Sequence, residues 1–363
     1  MRLRFERGPR DRLETLHPAY FAMVMATGIV AIAARLHGVP VVPEALFWLN
    51  ALFLAGLAAA SAARLLRHPA AVAADLRSHG RAVGYFTTVA ACGVFGSQLV
   101  LQMDAVAAAT VFWIAAAVLW LVVSYGVLTV LTVQPQKPSL ADGLHGGWLV
   151  IVVATQSLSI LTVLMLPSGV SAHLRPPLMF AALALWLGGG ALYLWLMALI
   201  FLRYTFYRMD PADLTPPYWI SMGAVAISTL AGATLIEHAA LSPLVGELAP
   251  FVKGCTLMFW AMGSWWIPML VVLGVWRYLI RGVPFAYDPL YWGGVFPLGM
   301  YSVCTYHLAQ VMGLPFLMPL SKAFMVFALA AWAATAVGLI DSRRRPGGAR
   351  TVAGLPRRQP GDT

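Results

Sequence analysis

An all-α polytopic membrane protein of ten transmembrane helices is the fold class this sequence predicts, and three observations predict it. Hydrophobic residues make up 60% of the 363 positions and charged residues only 10%, with a mean hydropathy of +0.78; soluble domains carry about 25% charged residues. Apolar stretches long enough to cross a bilayer as a helix, about 20 residues each, recur along the chain with short connections. The basic residues collect in alternate connections, and an odd number of crossings would scramble that separation.

The first span, about 18–37, carries Thr27 and Gly28. An Arg-rich opening (Arg2, Arg4, Arg7, Arg10, Arg12) leads straight into it without a small-residue cleavage site, so no removable signal is expected. The second, about 43–66, is greasier. The third, about 82–103, brings Gly84, Thr87, Thr88, Gly93, Gly96, Ser97 and Gln98. The fourth, about 105–131, is again greasy, with Trp113 and Trp120. The fifth, about 143–166, holds Gly146, Gly147, Thr155, Gln156, Ser157 and Ser159. The sixth, about 177–202, contains Gly188–Gly190 beside Trp186 and Trp195. The seventh, about 217–237, has Ser221, Gly223, Ser228, Thr229, Gly232 and Thr234. The eighth, about 249–279, is long, and Pro268 predicts a kink. The ninth is about 289–312 and the tenth about 317–340. One membrane domain, 17–341, follows a short segment 1–16 and precedes a tail, 342–363, whose Arg, Pro and Gly predict disorder.

Odd spans are thus rich in small and hydroxyl residues, and even spans carry Trp48, Trp113, Trp120, Trp186, Trp195, Trp260, Trp265, Trp266 and Trp332. Small and polar residues belong inside a membrane bundle and bulky ones face lipid. The alternation predicts an inner ring of odd helices and an outer ring of even ones. The same residues equally suit tight packing with no bore.

The ninth span is the most irregular. It has no Asp, Glu, Lys or Arg, its wall is thinned by Gly293, Gly294 and Gly299, and Pro297 sits in its middle. A mid-helix proline removes one backbone bond and bends the rod. At 100° per residue, Phe296, Met300, Val303 and His307 share a stripe. A small-residue helix with a ring at its bend reads as one wall of a conduit obstructed at Phe296; packing or lipid contact is the plainer reading. His307 is either a packing histidine or a titrating group on that stripe.

Of the 24 Lys and Arg, 20 fall on one side of this topology and 4 on the other (Arg35, Arg175, Lys253, Lys322). That bias places both termini in the cytoplasm. It also accounts for the net charge of +10 without a nucleic-acid partner. No carboxylate sits at mid-membrane as a proton relay would need; Glu237 and His238, where the seventh span exits, are the nearest pair. No HExxH, GxSxG or Walker motif occurs, and the three cysteines lack metal-ligand spacing. Neither an enzyme nor a cofactor or metal site is expected. A path lined by hydroxyls, glycines and bent backbone, without fixed acidic charge, suits anions. The candidate lining is Thr27, Gly28, Thr88, Gly93, Gln156, Ser157, Ser228, Thr229, Gly299, Ser302 and His307.

The residues His17-Pro18-Ala19-Tyr20-Phe21 through Val30, Pro217-Tyr218-Trp219 through Ile227, Trp266-Ile267-Pro268, Tyr291-Trp292 and Phe296-Pro297 resemble the tellurite-resistance/C4-dicarboxylate transporter family. That family includes plant guard-cell slow anion channels and fungal malate permeases. The resemblance spans about 18–340. It implies five helix hairpins in quasi-fivefold arrangement, a central pore lined by odd helices in each protomer of a homotrimer, and an aromatic gate matched by Phe296. It also implies small anions as substrates: chloride, nitrate, malate and other dicarboxylates, with a tellurite-linked phenotype in bacteria. Long Ser/Thr-rich regulatory termini are missing from this sequence, which puts kinase control in doubt. The expectation is an inner-membrane anion channel gated by Phe296. A proton-coupled C4-dicarboxylate carrier and a closed membrane scaffold or enzyme are the alternatives.

Overall fold

In a computed structural model of the chain, described for residues 13–211, 213–284 and 287–344, helices account for nearly everything outside short connections. The opening basic residues before Leu13 and the tail beyond Arg344 lie outside the described residues. The long helices are α1 (Ala22–Leu36), α2 (Val42–Arg67), α3 (Phe86–Met103), α4 (Val106–Val133), α5 (Val150–Gly169), α6 (Arg175–Phe206), α7 (Ile220–Glu237), α8 (Ala249–Val275), α9 (Trp292–Met312) and α10 (Met318–Arg344). With the turns that precede or follow them, nine are long and apolar enough to cross a membrane. The exception is α9; its 21 residues suffice in length, but glycine, tyrosine and polar residues lower its hydropathy. The connection between α2 and α3 contains the helices Pro69–Leu76 and His79–Ala82.

The odd helices form a closed ring: α1 packs on α3, α3 on α5, α5 on α7, α7 on α9, and α9 on α1. Each even helix lies outside, between the odd helix before it and the next one round. Burial follows this order. The spans containing α1, α3, α5 and α7 are 78%, 83%, 94% and 89% buried, against 11–33% for the even ones. The predicted two-ring, quasi-fivefold architecture is therefore the observed one.

The seams between rings repeat. Trp113 and Trp120 of α4 donate their indole N–H groups to Thr162 and Thr155 of α5, at 2.8 and 2.9 Å. Trp186 of α6 donates to the Ser228 carbonyl of α7 at 2.8 Å. Trp260 of α8 donates to Thr305 of α9 at 3.0 Å, and Trp332 of α10 to Thr27 of α1 at 2.9 Å. At the fifth seam Asn50 of α2 donates to Gln98 of α3 at 2.6 Å. Away from water, a polar side chain needs such a partner, and these bonds fix each outer helix against the inner ring. The expectation that even-helix tryptophans face outward is corrected for these five and for Trp266, which is buried. Trp48, Trp195 and Trp265 do remain exposed.

Every odd helix also starts alike, with a 3-10 turn: Pro18–Phe21, Val83–Tyr85, Gly146–Leu149, Pro216–Trp219 and Pro289–Tyr291. His17 and His145 each accept, through Nδ1, the backbone N–H two residues on at 3.1 Å, and the Asp288 carboxylate does the same at 2.8 Å. The cap satisfies one of the donors a helix start leaves free.

Candidate functional site

Where the five odd helices begin, their ends enclose a cavity of about 280 Å³. Each contributes to the wall: His17, Ala22 and Met25 before and in α1, Gly84 and Thr87 at the start of α3, His145 and Val153 about α5, Thr215 and Ile220 about α7, and Gly293 and Phe296 of α9. The positive ends of the helix dipoles therefore converge on this space. Arg203, from the last turn of α6, and the carboxylates of Asp142 and Asp213 also border it.

Both histidines are held neutral. Burial, followed by the nearby Arg81 guanidinium, lowers the pKa of His17 to about 4. Burial, followed by Arg203, lowers that of His145 to about 4. A neutral ring leaves Nδ1 free to accept the capping N–H.

Phe296 lies at the inner limit of this cavity and is 1% exposed. One turn further along α9, Met300 borders a second, narrower cavity of about 40 Å³. That space is also walled by all five odd helices: Ile29 and Ile32 of α1, Gly93 and Ser97 of α3, Ser157 and Ile160 of α5, Ile227 and Thr234 of α7, and Met300, Val303 and His307 of α9. It has room for only a few waters. At its far end His307 Nδ1 lies 2.7 Å from Glu237 Oε1, the two side chains 21% and 26% exposed.

The helical stripe Phe296, Met300, Val303 and His307 borders one cavity or the other at every position. Pro297 faces away from it, against α7; a Cβ added at Gly223 would stand 2.7 Å from the proline ring, so glycine is what admits it. Of the other lining candidates, Gly93, Ser157 and His307 border the narrow cavity. The remainder border neither of these two cavities. Thr27 accepts from Trp332, and Gly28 is covered by Val94, Asn50 and Gln98. Thr88 bonds the Tyr85 carbonyl, and Gln156 reaches the Trp186 carbonyl of α6 at 3.0 Å. Ser228 and Thr229 return to the carbonyls of Ala224 and Val225, each at 2.8 Å. Gly299 meets Ile29 and Val30, and Ser302 bonds the Ser321 carbonyl of α10. In an apolar medium a hydroxyl is drawn to its own helix or to the neighbouring ring.

Sequence reasoning counted Arg203 only toward orientation and read no cavity at the helix starts. The signal was present, as a fivefold recurrence of two bulky residues at those starts: Tyr20-Phe21, Tyr85-Phe86, Trp148-Leu149, Tyr218-Trp219 and Tyr291-Trp292.

The family model described as SLAC1, voltage-dependent anion channel, matches residues 15–340. An uncharacterized membrane protein of Mycobacterium tuberculosis is 40% identical over 149 residues, covering 41% of this chain and 75% of its own. Two uncharacterized transporters of Methanocaldococcus jannaschii are 23% and 24% identical, over 83% and 82% of this chain and 87% and 84% of theirs. The chain belongs to the SLAC1 family of membrane transporters and channels, the family its motifs resemble.

Proposed function

We propose that this member of the SLAC1 family is a conduit for small anions, running along the axis of the inner ring and closed by the Phe296 side chain. The observation that carries the reading is the stacking of two cavities inside one ring of five helices, with Phe296 bordering the wide one and Met300, a turn later, the narrow one. Five helix starts turn partial positive charge to the wide cavity, which favours anions without binding them tightly. A buried benzyl group blocks the waist by size and by excluding water. The bias of Lys and Arg supports a cytoplasmic side for the wide cavity and both termini, in the inner membrane. Each protomer of a homotrimer would hold its own path. The substrates are chloride- or nitrate-type anions or C4-dicarboxylates.

The test is anion flux in proteoliposomes, wild type against Phe296→Ala. Faster flux in the variant supports the gate. An unchanged rate in a variant with the thermal stability of the wild type removes it.

A second reading, a proton-coupled C4-dicarboxylate carrier, draws on the His307–Glu237 pair at the end of the narrow cavity. Malate uptake would then follow an imposed pH gradient. Uptake indifferent to the gradient leaves the conduit standing.

A further inference from the structure

Four arginines are buried or half-buried near the helix ends on the wide-cavity side, and three of them donate hydrogen bonds to protein acceptors. Arg64 donates to the Glu14 carbonyl at 3.0 and 3.2 Å and pairs with Asp75 at 2.8 Å. Arg81 forks onto the same Asp75 carboxylate through Nε and Nη2. Arg277 donates to the carbonyls of Pro211 and Leu214 at 2.7 and 2.6 Å. Arg203 is different. Its side chain is 8% exposed, yet it makes no hydrogen bond among the described residues. Nη1, like Nε of Arg277, is enclosed with no acceptor, but in Arg203 no other nitrogen compensates with a hydrogen bond among the described residues. Nη2 stands 3.7 Å from Asp213 Oδ2, beyond hydrogen-bond reach, and the Tyr218 ring lies 5.7 Å from the guanidinium carbon. A desolvated guanidinium without acceptors is costly, and three structural arginines nearby show how the fold supplies acceptors when the role is bracing.

Arg203 borders the wide cavity, on which five helix starts converge. Two independent features thus call for negative charge at one place. The counter-charges present are peripheral: the Asp213 side chain is 45% exposed and Asp142 is exposed. His17 and His145 are neutral, so they add no positive charge.

We propose that the Arg203 guanidinium is the anion-anchoring group of the vestibule, engaging a small, singly charged anion in competition with Asp213. One guanidinium flanked by two rim carboxylates satisfies a single charge and repels a second. This rests on the conduit reading for its purpose, but binding can be read without flux. The experiment follows the thermal midpoint of the purified full chain as chloride or nitrate replaces gluconate at constant ionic strength, since a ligand bound only by the folded state raises it. The wild type should be stabilised. In Arg203→Gln the half-effective chloride concentration should rise about tenfold or more, in keeping with loss of a charge-assisted bond. Arg203→Lys should recover part of the affinity, and Asp213→Asn, at an exposed position that the fold tolerates, should tighten binding. A wild type insensitive to chloride and nitrate overturns the proposal, as does an equal response in Arg203→Gln or no change in Asp213→Asn. Malate stabilising more than chloride overturns the single-charge assignment. Flux in the wild type and Phe296→Ala reports on the conduit separately, so either idea can fail while the other survives.

Discussion

The two halves of the inner ring use the same five helices, yet one encloses about 280 Å³ and the other about 40 Å³. The wide half is built from helix starts. There, 3-10 turns with proline or glycine hold the chain entries apart, and histidine and aspartate caps satisfy their backbone. Glycine contacts draw neighbouring helices together in both halves: Gly84 against Ala19 and Gly146 against Pro217 at the starts, Gly223 under Pro297 and Gly299 against Ile29 beside Phe296, and Gly93 beside Ser157 in the narrow half. Width along this axis is thus set by backbone spacing, and Phe296 occupies the transition.

The sharpest way to break this comparison is to empty the transition. Phe296→Ala should raise anion flux by about ten- to a hundredfold if the ring is the main barrier, roughly 1.4–2.7 kcal/mol, whereas Met300→Ala, in the narrow half, should change it much less. Similar effects from both would move the barrier from the ring to the whole narrow half.

Next in size is the glycine spacing. Gly223→Leu would drive a side chain into the Pro297 ring and should cost about 1–3 kcal/mol of overpacking strain, or prevent folding. A matching change at Gly188, which meets nothing within 4 Å, should be silent in a thermal melt. If both are silent, the waist is not held by that contact.

The inter-ring seams should follow. Trp186→Phe keeps the apolar bulk of a fully buried ring and removes its bond to the Ser228 carbonyl, which its own helix still engages, at a cost of about 0.5–1.5 kcal/mol. The same exchange at exposed Trp195 should leave the thermal midpoint unchanged.

The smallest effect concerns acid. His17 and His145 titrate near 4 in the folded chain and near 6.5 when unfolded. Between those values the unfolded chain binds protons that the folded chain refuses, so stability should fall as pH drops from about 6.5 toward 4. His145→Asn keeps a capping acceptor and removes one titrating ring, so its midpoint should depend less steeply on pH. An unaltered slope would mean the vestibule histidines are not what acid unfolds.

The order of inner and outer helices was legible in the amino acids, because burial on all sides demands small residues and lipid contact tolerates large ones. So was the stripe from Phe296 to His307, since 3.6-residue periodicity fixes which side chains share a face. Which hydroxyls border the two cavities was not. An odd helix is buried around its full circumference, so Ser228, Thr229 and Gln156 could face the axis or a neighbour with equal hydropathy. The bulky pairs that recur at the helix starts were legible too, but only when the five starts are compared with one another.

The sequence by itself determined that this protein is a helical membrane bundle with alternating inner and outer helices and a ring at the bend of the ninth. Only the tertiary structure decided that the tryptophans bolt one ring to the other, that the helix starts enclose a vestibule, and that Arg203 is left without an acceptor beside it. Composition and periodicity report each helix's own environment. Hydrogen-bond partners and cavities depend on how helices distant in the chain are rotated against one another, and that rotation is settled only when all five hairpins close the ring.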